Sequence, residues 1–522
     1  MAHIEIVLVS LLVAVAGLSA LAARVGIPYP ILLVLGGLVL GFLPGIPPVE
    51  LDPQLVLVVF LPPLLYGAAF FTDLRALRAD ARPISLLAVG LVLATTVTVA
   101  VAAHMLVEGL PWAACFALGA IVAPTDPVAA TTIARRLGVP RRTIAILEGE
   151  SLVNDASALV AYKIAVGAIT GGTFSLLTAG VEFVASAAGG AAIGYVVALV
   201  IAQIRRRLDD PTISVTISLL SGYAAYIPAH ALGVSGVVAA VTTGVAMGWW
   251  TPRIVSPYVR QQGFAFWTLL TFLLNAILFV LIGLQLPSIL DGLRGESPWW
   301  LLGTAAAIAA VVTGTRFLWM NTTPYIIRAL DRRPSQRARR SDWRTRMVGA
   351  WSGMRGAVSL AAALALPAET PQRDLLIFLT FGVIFVTLVL QGLTLPTLIR
   401  RLGVHEDGAD EAGEELRARL VATQAALTRL DALADEDWTR DDTVERMRGL
   451  YDYRRRRLKA RAGKIEDDGY EDRSVAYQTM VREVLEAQRA AVVALRNDGT
   501  ISNDVMHRIE RELDLEDERL EI

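Results

Sequence analysis

Along its hydrophobic and polar positions, the chain is a succession of long apolar runs broken by short charged joins. Windows of about 18 or more apolar residues fall at approximately 4–22, 28–45, 54–71, 83–106, 112–133, 144–169, 176–204, 212–230, 233–250, 264–286, 299–324, 346–366 and 374–399. Each is long enough for an α-helix to cross the hydrocarbon core of a bilayer. Proline or glycine beside charge marks most joins, as at Gly26-Ile27-Pro28 and Leu137-Gly138-Val139-Pro140. The pair 212–230 and 233–250 is separated by only a short Gly-Val turn. The pattern predicts an all-α polytopic membrane protein with about 13 transmembrane helices. After about His405 the periodicity changes: 411–435, 441–463 and 474–496 show helical spacing with mixed charge, Arg496-Asn497-Asp498-Gly499-Thr500 reads as a turn, and Ser502 or Asn503 is expected to cap a last helix reaching about Leu520. The domain expectation is a transmembrane unit over 1–403 and a cytoplasmic helical tail over 404–522. That tail packs on itself or on a twin chain, with regulation as its other reading.

Composition agrees. Hydrophobic residues are 54% of the 522, charged residues only 19%, and mean hydropathy is +0.52, which excludes an ordinary soluble enzyme. A net charge of −1 offers no general attraction to nucleic acid. The lone Cys115 rules out an intrachain disulfide framework. The first apolar stretch, Ile4 to Ala23, lacks a basic lead-in and is followed at once by another, so it reads as a retained helix.

Loop charge sets an expected orientation. With the N-terminus outside, the cytoplasmic loops hold Arg24; Arg75, Arg78 and Arg82; Arg135, Arg136, Arg141 and Arg142; Arg205, Arg206 and Arg207; Arg253 and Arg260; and the basic run from Arg328 to Arg346. The opposite loops hold little beyond Arg294 and Arg373. This asymmetry places the C-terminus in the cytoplasm.

The candidate chemistry sits where hydrocarbon is expected. Glu148-Gly149-Glu150-Ser151-Leu152-Val153-Asn154-Asp155 lies inside the 144–169 window. A buried carboxylate costs several kcal/mol unless it is paired, protonated or bound to an ion. On a helix, 148, 151 and 155 share one face, while 150 and 154 share a neighbouring one. The first face offers oxygen to a hard alkali cation, with Asp155 as the carboxylate and Ser151 Oγ, the Thr125 carbonyl and water able to complete the shell. Proton and cation would compete for that one carboxylate, the minimal chemistry of exchange. In the preceding span, Pro124 and Pro127 flank Thr125 and Asp126. Two prolines so close are expected to unwind the helix there, and broken helices at mid-membrane depth are a common construction of transporter ion sites. Asp126 is also placed to cap the half-helix that follows. Intramembrane arginines are expensive and usually paired: Arg316 is the expected partner of Glu150, and Arg355 is expected near the second break or the cytoplasmic mouth. Glu148 is expected at the entrance, Lys163 snorkelling outward, and His104 near a helix end without a site role.

Three stretches in this order, Ala123-Pro124-Thr125-Asp126-Pro127-Val128-Ala129, the 148–155 run, and Gly353-Met354-Arg355-Gly356-Ala357-Val358-Ser359-Leu360, resemble the sodium/proton exchanger group of the monovalent cation:proton antiporters over roughly 1–400. The resemblance implies two inverted repeats, a core with two crossing broken helices (here 112–133 and 346–366), and a homodimer. It puts the ion-binding aspartate on Asp155, the ligand serine on Ser151, the backbone ligand on Thr125, the helix-crossing aspartate on Asp126 and the supporting glutamate–arginine pair on Glu150 and Arg316. Asn154 beside Asp155, in place of two adjacent aspartates, looks like the branch that exchanges one Na⁺ or Li⁺ for one H⁺ without net charge movement. No cofactor is implied. One departure stands out: Leu61-Pro62-Pro63-Leu64-Leu65-Tyr66-Gly67-Ala68-Ala69 resembles the family's third helix, yet many relatives carry a carboxylate at or beside the position of Gly67, which leaves ion affinity and selectivity open. K⁺/H⁺ exchange is the near alternative. An intramembrane aspartyl protease using Asp126 and Asp155, or a cation channel, would be alternatives of another class. The Gly-x-Gly-Asp pattern of such proteases is absent, and a charged site midway along a broken helix suits binding and release better than conduction.

Overall fold

A computed structural model of the chain describes residues 2–44, 56–170, 176–330, 341–405, 409–466 and 468–520. Among these, every regular element is helical. The chain divides into two compact units, Met1–Glu406 and Asp407–Ile522.

Among the described residues of the first unit, eight helices are long and apolar enough to cross a membrane: Ala81–Leu106, Trp112–Arg136, Arg141–Ile169, Gly180–Arg205, Pro211–Ala231, Pro257–Asp291, Pro298–Arg328 and Arg373–Leu402. The first helix runs Ala2–Val25, and Tyr29–Gly41 and Val58–Phe71 are shorter apolar helices. The expected windows 28–45 and 54–71 both run into residues 45–55, which lie outside the described residues, as does 331–340 of the basic run. Two windows fall short for other reasons. The 233–250 window forms Gly236–Ile254, with Pro252 inside it, and the 346–366 window is two short helices, Trp343–Trp351 and Ala357–Leu364.

Local sequence explains the boundaries. Asp210 accepts from the Ile213 N–H at 2.9 Å and Ser235 from the Val238 N–H at 3.2 Å, each satisfying an otherwise orphaned donor at a helix start. Gly233, at φ +77°, makes the tight turn expected between the two neighbouring helices. Helices Tyr29–Gly41 and Pro257–Leu284 touch backbone to backbone: a Cβ on Gly37 would collide with the Val280 carbonyl, and one on Gly283 with the Val34 carbonyl. Small residues at such crossings let helices approach where lipid supplies no hydrophobic drive. Among the described residues, wide π-helical turns at Leu86–Leu91 and Val386–Gln391 interrupt otherwise regular spans, and a third, Val56–Phe60, leads into the helix Leu61–Phe71.

The most deeply buried spans are Trp112–Arg136 and Arg373–Leu402, so the proline-flanked break lies at the centre of the unit. The described residues of the second unit form four helices, Ala409–Ala434, Asp441–Arg461, Tyr470–Asn497 and Asn503–Leu520. Leu427, Leu430, Leu485, Val492, Met506 and Leu513 are its buried apolar residues. Of the two expected caps, Ser502 makes the bond, accepting from the Val505 N–H at 3.3 Å.

Candidate ion-exchange site

Both expected breaks are present. The helix from Trp112 stops at Val122 and another starts at Pro127. Asp126 is extended (φ −95°, ψ 118°), and its carboxylate accepts from the Val128 N–H at 2.9 Å. Proline at the first helical position costs nothing, because its missing N–H would be unpaired there. The second break runs from Ser352 to Gly356. The two meet: the Asp126 N–H donates to the Met354 carbonyl at 2.7 Å.

Unwound backbone inside a membrane must find partners. Arg355, only 1% exposed, supplies them for both breaks. Its Nε donates to the Val122 carbonyl at 3.0 Å, and its Nη1 donates to the Gly353 carbonyl. Its own N–H donates to Thr387 Oγ1 at 3.2 Å, on one of the π-helical turns. Arg355 therefore sits at the second break, the first of its two expected places.

The helix Arg141–Ile169 presents the two faces read from spacing. On one, Glu150 is 1% exposed and pairs with Arg316, also 1% exposed, through both carboxylate oxygens; Nη2 reaches Oε2 at 2.9 Å. Arg316 Nε donates to the Gly349 carbonyl at 3.2 Å, which ties the pair to the second broken span. Thr125 Oγ1 donates to Glu150 Oε1 at 3.1 Å and accepts from Asn154 Nδ2 at 2.9 Å. The Thr125 carbonyl is 3.5 Å from the same Asn154 nitrogen. The fully buried Asn154 thus braces the first break through the Thr125 side chain, a contact the spacing alone did not give.

On the other face, Glu148, Ser151 and Asp155 line a cavity of ≈ 290 Å³ with Thr125 and Asp126. Asp155 is 7% exposed. Among the described residues neither its carboxylate nor the Ser151 hydroxyl has a hydrogen-bond or ion-pair partner, whereas Glu150 beside them is fully paired. Glu148 is bonded to Arg135 at 2.6 Å, where the Arg135 side chain is 62% exposed, so this pair marks the more open end of the cavity. Lys163 is exposed and apart from the cavity. His104 Nδ1 lies 3.0 Å from the Leu110 carbonyl and its ring stacks on Trp112.

The cavity's far wall was not anticipated. Thr271 and Asn275 line it from the helix Pro257–Leu284. Asn275, a lone amide in an apolar run, was the available signal. Gly67 lines the cavity too, and a Cβ there would stand 2.9 Å from Thr271 Cγ2 and 3.1 Å from Trp267. A carboxylate at this position would need that wall to move. No cluster of three or more His, Cys, Asp or Glu side chains able to hold a metal occurs among the described residues. What converges here is oxygen from carboxylates, hydroxyls and broken-helix backbone, a donor set for a hard monovalent cation or a proton.

The transmembrane sodium/hydrogen exchanger family profile matches residues 8–401. An uncharacterised Na⁺/H⁺ exchanger of Mycobacterium tuberculosis is 36% identical across 99% of this chain and 96% of its own. The Na⁺/H⁺ antiporter ApNhaP of Aphanothece halophytica is 35% identical across 78% and 76%. The solved structure of the sodium proton antiporter MjNhaP1 from Methanocaldococcus jannaschii superposes with a TM-score of 0.60, covering 77% of this chain and 99% of that one at 19% identity, so the fold is shared. With the profile spanning most of its length and these relatives matching along it, the chain belongs to the sodium/hydrogen exchanger family.

Proposed function

We propose that this protein exchanges Na⁺ or Li⁺ for H⁺ across a membrane as a secondary antiporter, with cation and proton taking turns on Asp155. The observation that carries this reading is the contrast between two neighbouring carboxylates. Glu150 is paired with Arg316, while Asp155, 7% exposed, faces a cavity with no protein partner among the described residues. A desolvated carboxylate without a counter-charge is costly. It is relieved by a proton or by a small cation, and those two cargoes exclude each other. Ser151 Oγ and the Thr125 carbonyl are the proposed further ligands. Asp126, Asn154, Glu150, Arg316 and Arg355 hold the breaks in place around them, with Pro124 and Pro127 keeping the first one open. One titrating carboxylate carries one charge in either direction, so the exchange is electroneutral, one for one.

The finer architecture belongs to the same proposal: 13 spans in two inverted repeats, N-terminus outside and C-terminus cytoplasmic, alternating access by movement of the core around the site, a homodimer in the cell membrane, and a regulatory tail. The loop-charge asymmetry supports the orientation. A relative in Bacillus subtilis named as a sodium, potassium, lithium and rubidium/H⁺ antiporter keeps K⁺/H⁺ exchange as the alternative cargo. A protease dyad is not favoured, because Asp126 is engaged as a helix cap.

The test is ion-driven collapse of an imposed pH gradient in everted vesicles. Na⁺ or Li⁺ is expected to dissipate the gradient and Asp155→Asn to abolish the response. Undiminished exchange by the variant would remove Asp155 from the mechanism, and the same assay with K⁺ separates the two cargoes.

A further inference from the structure

A second cavity, of ≈ 230 Å³, shares no residue with the first. It lies between the start of the Ala81–Leu106 span, the start of Arg141–Ile169, the end of Pro298–Leu330 and the start of Trp343–Trp351. All four elements bring a basic residue to it: Arg82, Arg142, Arg328 and Arg346. Asp80 is the only acid among the described lining residues, and it is already bonded to Arg142 at 2.6 Å. Apart from Trp319, Thr323 and Ser341, the rest of the wall is apolar, with Leu86, Leu87, Ile146 and Ile327 among its members.

Two buried donors in this wall have no acceptor among the described residues: Arg346 Nε and Trp319 Nε1. Arg346 is 6% exposed. Its Nη1 donates to the Ser341 carbonyl at 3.1 Å and its Nη2 to the Tyr325 hydroxyl at 3.1 Å, so its head is fixed while Nε is left over. The same tyrosine ring carries both Arg346 and Arg328, at 5.3 and 5.1 Å from its centroid. Buried polar groups in native proteins are nearly always satisfied, and an unpaired guanidinium edge is among the most expensive to leave bare. The missing partner is therefore rich in acceptor oxygen and negatively charged. It also tolerates an apolar wall at the end of a membrane span. A phospholipid headgroup with its glycerol and first acyl carbons has this chemistry, and anionic lipids concentrate where basic joins face the cytoplasm.

We propose that this cavity binds the phosphate of an anionic phospholipid, held by Arg346 and Arg328 with Trp319 Nε1 as a further donor. The site joins the Arg316 helix to the second broken span at one end. It rests on the cytoplasmic reading of this end but not on the identity of the transported ion.

The experiment is native mass spectrometry of the full-length protein in neutral detergent, titrated separately with palmitoyl-oleoyl phosphatidylglycerol and phosphatidylcholine. Phosphatidylglycerol is expected to bind at least about fivefold more tightly, the effect of one basic contact near a membrane surface. Arg346→Gln and Arg328→Gln are each expected to remove most of that preference. Arg328 is only half-buried, so its variant keeps the test available if Arg346→Gln does not fold. Inorganic phosphate at millimolar concentration is expected not to displace the lipid. Equal binding of the two lipids, an Arg328→Gln protein with the preference intact, or displacement by free phosphate would each overturn the assignment.

Discussion

The Asp126 N–H donates to the Met354 carbonyl at 2.7 Å, so one helix break is bonded directly to the other. Neither break alone could leave its backbone bare at this depth. The contact also sets how closely the two breaks approach, and Gly356 is where that approach is tightest. A Cβ on Gly356 would lie 2.7 Å from Asp126 Cβ and Cγ, and closer still to its Oδ2. Gly356→Ala is therefore expected to push Asp126 off its cap and lower exchange by about tenfold or more, a loss of at least about 1.4 kcal/mol in the productive geometry. Initial rates of Na⁺-driven proton release in proteoliposomes check this. A wild-type rate would mean that the spacing of the breaks does not matter.

The Glu150–Arg316 pair is expected to behave as a structural strut. Arg316→Ala leaves a buried carboxylate without its counter-charge, which costs about 3–5 kcal/mol. Replacing both members together with apolar residues of similar volume, as in Glu150→Leu with Arg316→Met, is expected to recover much of that loss. Thermal unfolding of the two proteins in the same detergent measures the difference. Equal destabilisation by the single and double replacements would show that the hydrogen bonds to Thr125 and Gly349 matter more than the charges.

Asp126 contributes a cap that a neutral amide can partly keep. Asp126→Ala is expected to cost about 1 kcal/mol through the lost bond to Val128, and Asp126→Asn only a fraction of that. If exchange follows the same order as stability, Asp126 acts by capping. If Asp126→Asn is stable yet inactive, its charge takes part in transport. Paired melting and exchange measurements distinguish the two.

At the open end of the cavity, Arg135 and Glu148 form a partly exposed pair whose contribution to stability is about 0.2–1 kcal/mol. Glu148→Gln should leave the melting temperature nearly unchanged. Removing a negative charge from the mouth is expected to raise the apparent KM for Na⁺ by roughly twofold to fivefold at low ionic strength and by less at high salt. An unchanged KM at low salt would place the cation's route elsewhere.

Much of this site is legible in the chain because its physics is local. Two prolines three residues apart break a helix whatever surrounds them, and the i, i+3, i+4 and i+7 spacing from Glu148 to Asp155 sorts five polar side chains onto two faces before any fold is known. That Glu150 needs a cationic partner is readable because intramembrane charges are usually paired, which leaves Arg316 and Arg355 as candidates; the family resemblance implies Arg316. What was not readable depends on contacts between distant segments. Arg355 binds the carbonyl of Val122, and Thr125 engages Asn154 and Glu150 through its side chain. Thr271 closes the space beside Gly67. Apolar windows also measure length and composition, not crossing. The 346–366 window carries Arg346, Ser352, Arg355 and Ser359 among its apolar residues, and it is two short helices whose break leaves Gly356 extended against Asp126.

Competition for Asp155 is measured most directly by the apparent KM for Na⁺ as a function of pH in proteoliposomes. A cation needs the deprotonated carboxylate, so acidification must weaken its binding. Where the protonated form dominates, the KM is expected to rise by about tenfold per pH unit, the signature of one proton displaced by one cation, with Vmax at saturating Na⁺ little changed. A KM that stays constant across that acid range while the rate falls would contradict a shared carboxylate and require separate seats for proton and cation.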